Sequence, residues 1–176
     1  CREARLPFFL SFLYCAGRAA NAVPQLRQRI IDGAPVQFDS CDTSHTVMRD
    51  AGTYSYCRLD CMQPFERYLP AALAAQEQAK ERGGLDDGED AVSLFFVSTL
   101  PWVGYTALRQ PVPTPADSNP RLTWGRFEER DGRAVMPVTV LVNHALVDGV
   151  QMGAFFEALD RETGAFAAQM RQKPRN

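Results

Sequence analysis

A histidine and an aspartate four residues apart, His144 and Asp148, with Gly149 directly after, have the residue types and spacing that suit proton transfer. Imidazole ordinarily titrates near neutral pH, so it can take a proton and give it back. A carboxylate four residues on can do one of two things. It can hold the loop electrostatically, or it can cap a following helix by accepting from its first backbone N–H groups. Gly149 suits a backbone angle that other residues resist. Taken alone, the same residues also describe a hydrogen-bonded structural histidine ahead of an ordinary helix cap. Both readings stand at this stage.

The elements on either side decide how rigidly such a histidine is held. Ala134 to Val142 is almost wholly apolar and rich in β-branched residues, the composition of a strand buried on both faces. Met152, Phe155, Phe156 and Leu159 follow at i, i+3, i+4 and i+7, the spacing of one helical face. His144 is therefore expected where a strand ends, a loop turns and a helix begins. A general base in that place has its orientation set by the scaffold.

With 176 residues, 45% of them hydrophobic, the chain can form one domain over residues 1–176 around a single core. A formal net charge of −2 removes any global electrostatic argument for nucleic acid. The local basic cluster Arg171-Gln172-Lys173-Pro174-Arg175 reads as a solvated terminus. Five cysteines, Cys1, Cys15, Cys41, Cys57 and Cys61, are an odd number without metal-site spacing, so reduced thiols in a cytoplasmic protein are expected. The apolar run from Leu6 to Ala16 is too short to span a bilayer and reads as a core helix, so no membrane partner is expected.

In chain order, Leu6 to Ala22 predicts a largely buried helix ended by Pro24. Arg29 to Phe38 predicts two short strands about an Asp32-Gly33 turn, with Pro35 at an edge. His45 to Arg49 and Thr53 to Leu59 read as strands separated by Asp50-Ala51-Gly52. Gln63 to Arg82 is helical in composition, and Pro70 should kink or restart it. The loop Gly83 to Asp90 has carboxylates but not the ligand spacing of a calcium loop, so it reads as a solvated turn and no metal is expected. Ala91 to Ser98 predicts a buried strand, and Tyr105 to Leu108 a short one. Gln110 to Pro120 holds four prolines and reads as a surface loop. Arg121 to Glu129 and Ala134 to Val142 flank Asp131-Gly132, a hairpin signal. Strands mixed with three helices imply an α/β fold, a two-layer sandwich of a mixed β-sheet packed with helices.

The series Phe95-Phe96-Val97-Ser98, Pro101-Trp102, Leu122-Thr123-Trp124-Gly125, Met136-Pro137 and His144-Ala145-x-x-Asp148-Gly149 resembles the chloramphenicol acetyltransferase family. Asn21-Ala22-x-Pro24-x-Leu26-Arg27 and Phe38-Asp39-Ser40 add to the resemblance, which runs from about Leu6 to Leu159. HxxxDG alone is shared with other CoA-dependent acyltransferases, and the spaced series around it is the more specific signal. The resemblance implies O-acetyl transfer from acetyl-CoA, as co-substrate and not a resident cofactor, to a hydroxyl of chloramphenicol, an antibiotic-resistance activity. His144 would be the general base, Ser98 the oxyanion donor and Thr123 the residue holding a water beside the tetrahedral intermediate. Asp148 would keep the His144 loop in shape. Trp102 and Tyr105 would pack. The resemblance also implies a homotrimer with active sites at the subunit interfaces, and a further N-terminal segment that has no counterpart here. That segment normally supplies part of the acceptor pocket and an arginine that pairs with the aspartate of HxxxDG.

Two departures bear on function. The family usually carries two adjacent histidines, and the first position here is Asn143. Between Ala107 and Arg121, where the family tends to place apolar and aromatic residues against its acceptor, this chain has Arg109, Gln110, several prolines and Arg121. An arginine buried unpaired beside a neutral antibiotic would cost several kcal/mol. Arg109 and Arg121 are therefore expected to point to solvent; otherwise the acceptor is a different, more polar alcohol. The other readings are the acyltransferase core of a lipoyl-dependent complex, whose lipoyl and peripheral-binding domains find no match here, and a non-enzymatic interaction module.

Overall fold

The structure, a computed structural model, describes residues 6–49, 52–84 and 87–172. Helix α1, Phe8–Asn21, begins where Pro7, in an extended conformation, accepts from both the backbone N–H (3.1 Å) and the hydroxyl (2.9 Å) of Ser11. It is buried over most of its length because it lies between the sheet and the other helices. Pro24 opens a 3-10 turn, Pro24–Arg27, that leads into strands β1 (Gln28–Ile31) and β2 (Ala34–Gln37). Asp32 (φ 51°) and Gly33 (φ 78°) form the tight turn between them, as a two-residue hairpin of right-handed strands demands. Pro35 sits on β2, which is exposed throughout.

The chain continues through β3 (Thr43–Met48), β4 (Tyr54–Leu59), helix α2 (Phe65–Arg82), β5 (Phe95–Leu100), β6 (Arg121–Gly125), β7 (Glu128–Arg130), β8 (Arg133–Val135), β9 (Val138–Leu141) and helix α3 (Gly149–Gln172). The five-stranded sheet has the order β4-β3-β5-β6-β9. β3, β5 and β6 run parallel, while β4 and β9 pair antiparallel to their neighbours.

Side chains alternate between the faces of a strand, and register partners share a face. One face, carrying His45, Val97, Leu122 and Trp124, is covered by helices. The Phe9 ring lies 4.8 Å from that of His45 and 5.8 Å from Trp124, and Phe12 meets Trp124 edge-on at 4.9 Å. α3 packs on α1 through Tyr14 and Phe166, and through an Arg18–Glu162 ion pair at 2.7 Å. α2 joins through Tyr68, whose hydroxyl donates to the Leu10 carbonyl at 3.1 Å. This gives the expected two-layer α/β arrangement. The other face carries Phe96, Ser98, Arg121, Thr123 and Thr139. A long loop, residues 101–120, supplies its polar and aromatic partners.

Several local expectations need correction. β5 starts at Phe95, not Ala91, because residues 89–93 form a 3-10 turn. Its carbonyls serve side chains instead of a neighbouring strand: Val92 accepts from Arg29, and Ala91 and Val92 both accept from Asn119. No strand forms at Tyr105 to Leu108; Tyr105 crosses the end of β6, where its hydroxyl donates to the Thr123 carbonyl at 3.2 Å. Gly125 permits that crossing, since a Cβ there would meet the Val103 carbonyl oxygen at 2.7 Å and Tyr105 Cε1 at 2.9 Å. Each of the two long strands expected around Asp131-Gly132 is split in two, into β6 and β7 and into β8 and β9. Pro137, which has no N–H, marks one interruption while its carbonyl accepts from Gly125.

The stretch from Ala134 to Val142 is not buried on both faces. β8 is exposed and β9, the edge strand, is half-buried, so its apolar residues are not enclosed within one chain. α2 runs unbroken through Pro70, which lies on the exposed side where a single lost hydrogen bond is tolerated. On α3, Phe156 is 41% exposed, and Ala158 takes the inward place beside Phe155 and Leu159. Asp50 and Ala51 of one expected turn, Leu85 and Asp86 of the acidic loop, and residues 173–176 of the basic tail lie outside the described residues.

Candidate active site

β9 ends at Leu141, and Asn143 folds the chain that follows. Its carbonyl accepts from Leu146 and Val147 at 3.0 and 3.1 Å, and its side-chain oxygen accepts from the Ala145 N–H at 3.0 Å. His144 stands exposed on this turn, with Nδ1 3.1 Å from the Val147 carbonyl oxygen. A carbonyl can only accept, so Nδ1 carries the proton. In the neutral ring that tautomer puts the lone pair on Nε2, the form a general base needs. Asp148 takes the capping role. Its carboxylate accepts from the Val150 N–H at 2.9 Å, and the Gln151 side chain accepts from the Asp148 N–H at 2.9 Å. This reciprocal box fixes the start of α3 next to Val147, and so holds the carbonyl that orients His144.

Ser98, Thr123 and Thr139 are register partners across β5, β6 and β9, a row of three hydroxyls on the face away from the helices. Ser98 is exposed at its strand. Thr123 is only 2% exposed, and its Oγ1 accepts from the Gln110 side-chain amide. With that lone pair taken, the Thr123 hydroxyl keeps its proton to donate. Thr139 donates to the Tyr105 hydroxyl at 3.2 Å.

The structure brings Ser98 and Thr123 together but sets His144 apart from them. Leu141 is opposite Arg121, so His144 lies beyond the start of β6, while the hydroxyl row lies two residues along it. What lies beside His144 is a shallow pocket whose lining includes Val112, Asp117, Asn119, Arg121 and Leu141.

Arg109 points to solvent as expected, but Arg121 does not: its side chain is 13% exposed. Asp117 makes this tolerable by accepting two parallel hydrogen bonds from the guanidinium, both 2.7 Å, and the Phe96 ring lies 5.3 Å beneath it. An arginine so paired carries no uncompensated charge. The Gln110 contact escaped sequence reasoning because nothing in a proline-rich loop announces which strand residue it will lie against, and the Asp117 pairing, although only four residues away, because no helical spacing applies in such a loop.

Trp102 does not pack; it is 70% exposed. Cys15, Cys41, Cys57 and Cys61 are free and buried. Burial pushes the Cys15 and Cys61 thiols up to about 12 and Cys57 up to about 11, which makes them poor nucleophiles. Among the described residues there is no group of three or more His, Cys, Asp or Glu placed to hold a metal ion, and no helix long and apolar enough to cross a membrane.

The sequence model described as chloramphenicol acetyltransferase matches residues 1–160. The chain is 24% identical over 161 residues to a chloramphenicol acetyltransferase of Bacillus pumilus, covering 90% of this chain and 73% of that one. It is 27% identical over 163 residues to one from Klebsiella sp, covering 88% and 71%. A solved chloramphenicol acetyltransferase superposes with a TM-score of 0.82 at 26% identity, over 92% of this chain and 79% of that one. A probable dihydrolipoamide acetyltransferase of Listeria monocytogenes superposes at 0.68 with 15% identity, over 92% and 71%, a likeness of fold.

Proposed function

The chain belongs to the chloramphenicol acetyltransferase family of acyltransferase enzymes, and on that premise we propose that it moves the acetyl group of acetyl-CoA to a hydroxyl of chloramphenicol, with His144 as general base. The observation that carries this is the hydrogen bond from His144 Nδ1–H to the Val147 carbonyl, which sets the neutral ring of this exposed side chain in the tautomer with its lone pair on Nε2. Nε2 removes the hydroxyl proton as the acceptor oxygen attacks the thioester carbon. The Ser98 hydroxyl donates to the resulting oxyanion, and Thr123 donates to a water beside it. Collapse of the tetrahedral intermediate breaks the carbon–sulfur bond, and the imidazolium returns its proton to the departing thiolate. No acyl-enzyme is required.

Because His144 and the Ser98–Thr123 row stand apart within one chain, we place the complete site between subunits of a homotrimer. The histidine of one subunit then faces the hydroxyls of the next, and both subunits contribute acceptor-binding groups. The half-buried, apolar edge strand β9 supports a neighbour there. A second reading, a more polar alcohol as acceptor, is favoured by one feature: the Arg121–Asp117 pair on the pocket beside His144.

Release of free thiol from acetyl-CoA, followed with and without chloramphenicol, tests the proposal. The expected result is acceptor-dependent release that saturates at micromolar chloramphenicol. Turnover that fails to saturate at millimolar concentration would exclude chloramphenicol as the acceptor, and no release with any alcohol would overturn acetyl transfer itself.

A further inference from the structure

Arg121 is the opposite of what a pocket for an apolar acceptor needs, yet it is built in with care. Its guanidinium is fixed on one side by both oxygens of Asp117, from beneath by the Phe96 ring at 5.3 Å, and at a third point by the Asn119 carbonyl, which accepts from Nη1 at 3.1 Å. The pair lies on the pocket that also holds His144, with Val112 and Leu141 as apolar wall. A carboxylate offers about four lone-pair positions, and the two hydrogen bonds from Arg121 take two of them. Asp117 can still accept, and Arg121 keeps N–H groups that can still donate.

The charge of the pair decides what suits it. An ammonium group brought to Asp117 would also approach Arg121, and a carboxylate brought to Arg121 would also approach Asp117. Either ion would trade its hydration for one attraction and one repulsion. A neutral hydroxyl suffers neither conflict, since it can donate to the carboxylate and accept from the guanidinium at once. We infer that the Asp117–Arg121 pair is a specificity determinant that reads a second, unacetylated hydroxyl of the acceptor, so that the enzyme's substrates are neutral alcohols carrying at least two hydroxyl groups. This rests on the acetyl-transfer reading above. It is met by chloramphenicol, which carries more than one hydroxyl, and equally by more polar polyols.

The experiment compares kcat/KM for acetyl transfer to phenylpropanol, to the phenylpropanediol, and to analogues in which a carboxylate or an ammonium replaces the second hydroxyl. Wild type is compared with the double variant Asp117→Leu/Arg121→Leu, which removes both charges together and leaves neither ion unpaired. The expected result is that wild type prefers the diol to the mono-ol by roughly 10- to 100-fold, as for hydrogen bonds to charged groups, and disfavours both ions. In the double variant the ratio of diol to mono-ol falls to near one. Should the double variant fail to fold, Asp117→Asn/Arg121→Gln must lower the same ratio. Equal use of diol and mono-ol by wild type, a preference for the ammonium or carboxylate analogue, or an unchanged ratio in a folded double variant would overturn the inference while leaving acetyl transfer standing. Absence of transfer to every alcohol would overturn both.

Discussion

The Nδ1–H of His144 donates to the carbonyl oxygen of Val147 at 3.1 Å, and that one contact joins a turn, a helix start and the proposed chemistry. Val147 is itself buried, and the Asp148–Gln151 capping box begins at the next residue. The imidazole therefore cannot turn its protonated nitrogen toward an acceptor without giving up a bond. The His144→Ala variant is expected to keep its fold and thermal midpoint, since the side chain is exposed, and to lose acetyl transfer by at least ~10²–10⁴, the usual cost of removing a general base. Circular dichroism with steady-state thiol release checks both parts. Near-wild-type turnover would refute the mechanism.

Ser98 is proposed to donate only to an oxyanion, which exists in the transition state and not in the bound substrate. Ser98→Ala should therefore lower kcat on the order of 10²-fold with acceptor KM little changed. A raised KM at unchanged kcat would instead make Ser98 a ground-state contact.

Burial lowers the pKa of His45 from 6.5 to about 4. It is 2% exposed against Phe9, with Nε2 3.1 Å from the Gln76 side chain and Nδ1 without a partner. The unfolded chain binds a proton at this residue more readily than the folded one, so stability rises with pH across this window. The stabilisation is fully present above pH 6.5 and is lost as pH falls toward about 4, on the order of 3 kcal/mol. Denaturant unfolding at pH 7 and pH 4.5 should show a drop that His45→Phe reduces. An equal drop in the variant would assign the acid sensitivity to other groups.

Arg29 is fully buried, and its guanidinium donates to the carbonyls of Leu26, Gln28, Val92 and Leu94 at 2.7–2.9 Å. It joins the β1–β2 hairpin to the approach to β5. Arg29→Ala leaves several buried carbonyls unpaired around a cavity and should destabilise the protein by more than about 3 kcal/mol. Urea unfolding of wild type and variant measures the difference. A cost within 1 kcal/mol would mean that water replaces the guanidinium.

Light scattering is expected to give a trimer, and mixing His144→Ala with Ser98→Ala subunits should restore part of the activity that each lacks alone. An interface site completed by residues of two subunits predicts such complementation. A monomer active at nanomolar concentration would rule the arrangement out.

How much of this was legible in the chain depended on how local the physics is. The Asp32-Gly33 and Asp131-Gly132 turns and the strand–turn–helix around His144 follow from backbone preference and hydrophobic period, which a sequence states outright. The spaced motifs from Phe95 to Gly149 carried the family as well. Tertiary structure decided what a residue meets. Ala134 to Val142 reads as a strand enclosed on both faces, because apolar composition records that a residue will be covered but not by which chain; the fold makes its second half, Val138 to Leu141, an edge. Arg121 reads as a solvent-facing charge in a proline-rich neighbourhood. Asp117 stands only four residues ahead of it, but outside a helix that spacing does not dictate contact; the turn the loop takes before β6 brings the two together and sets the pair beside His144.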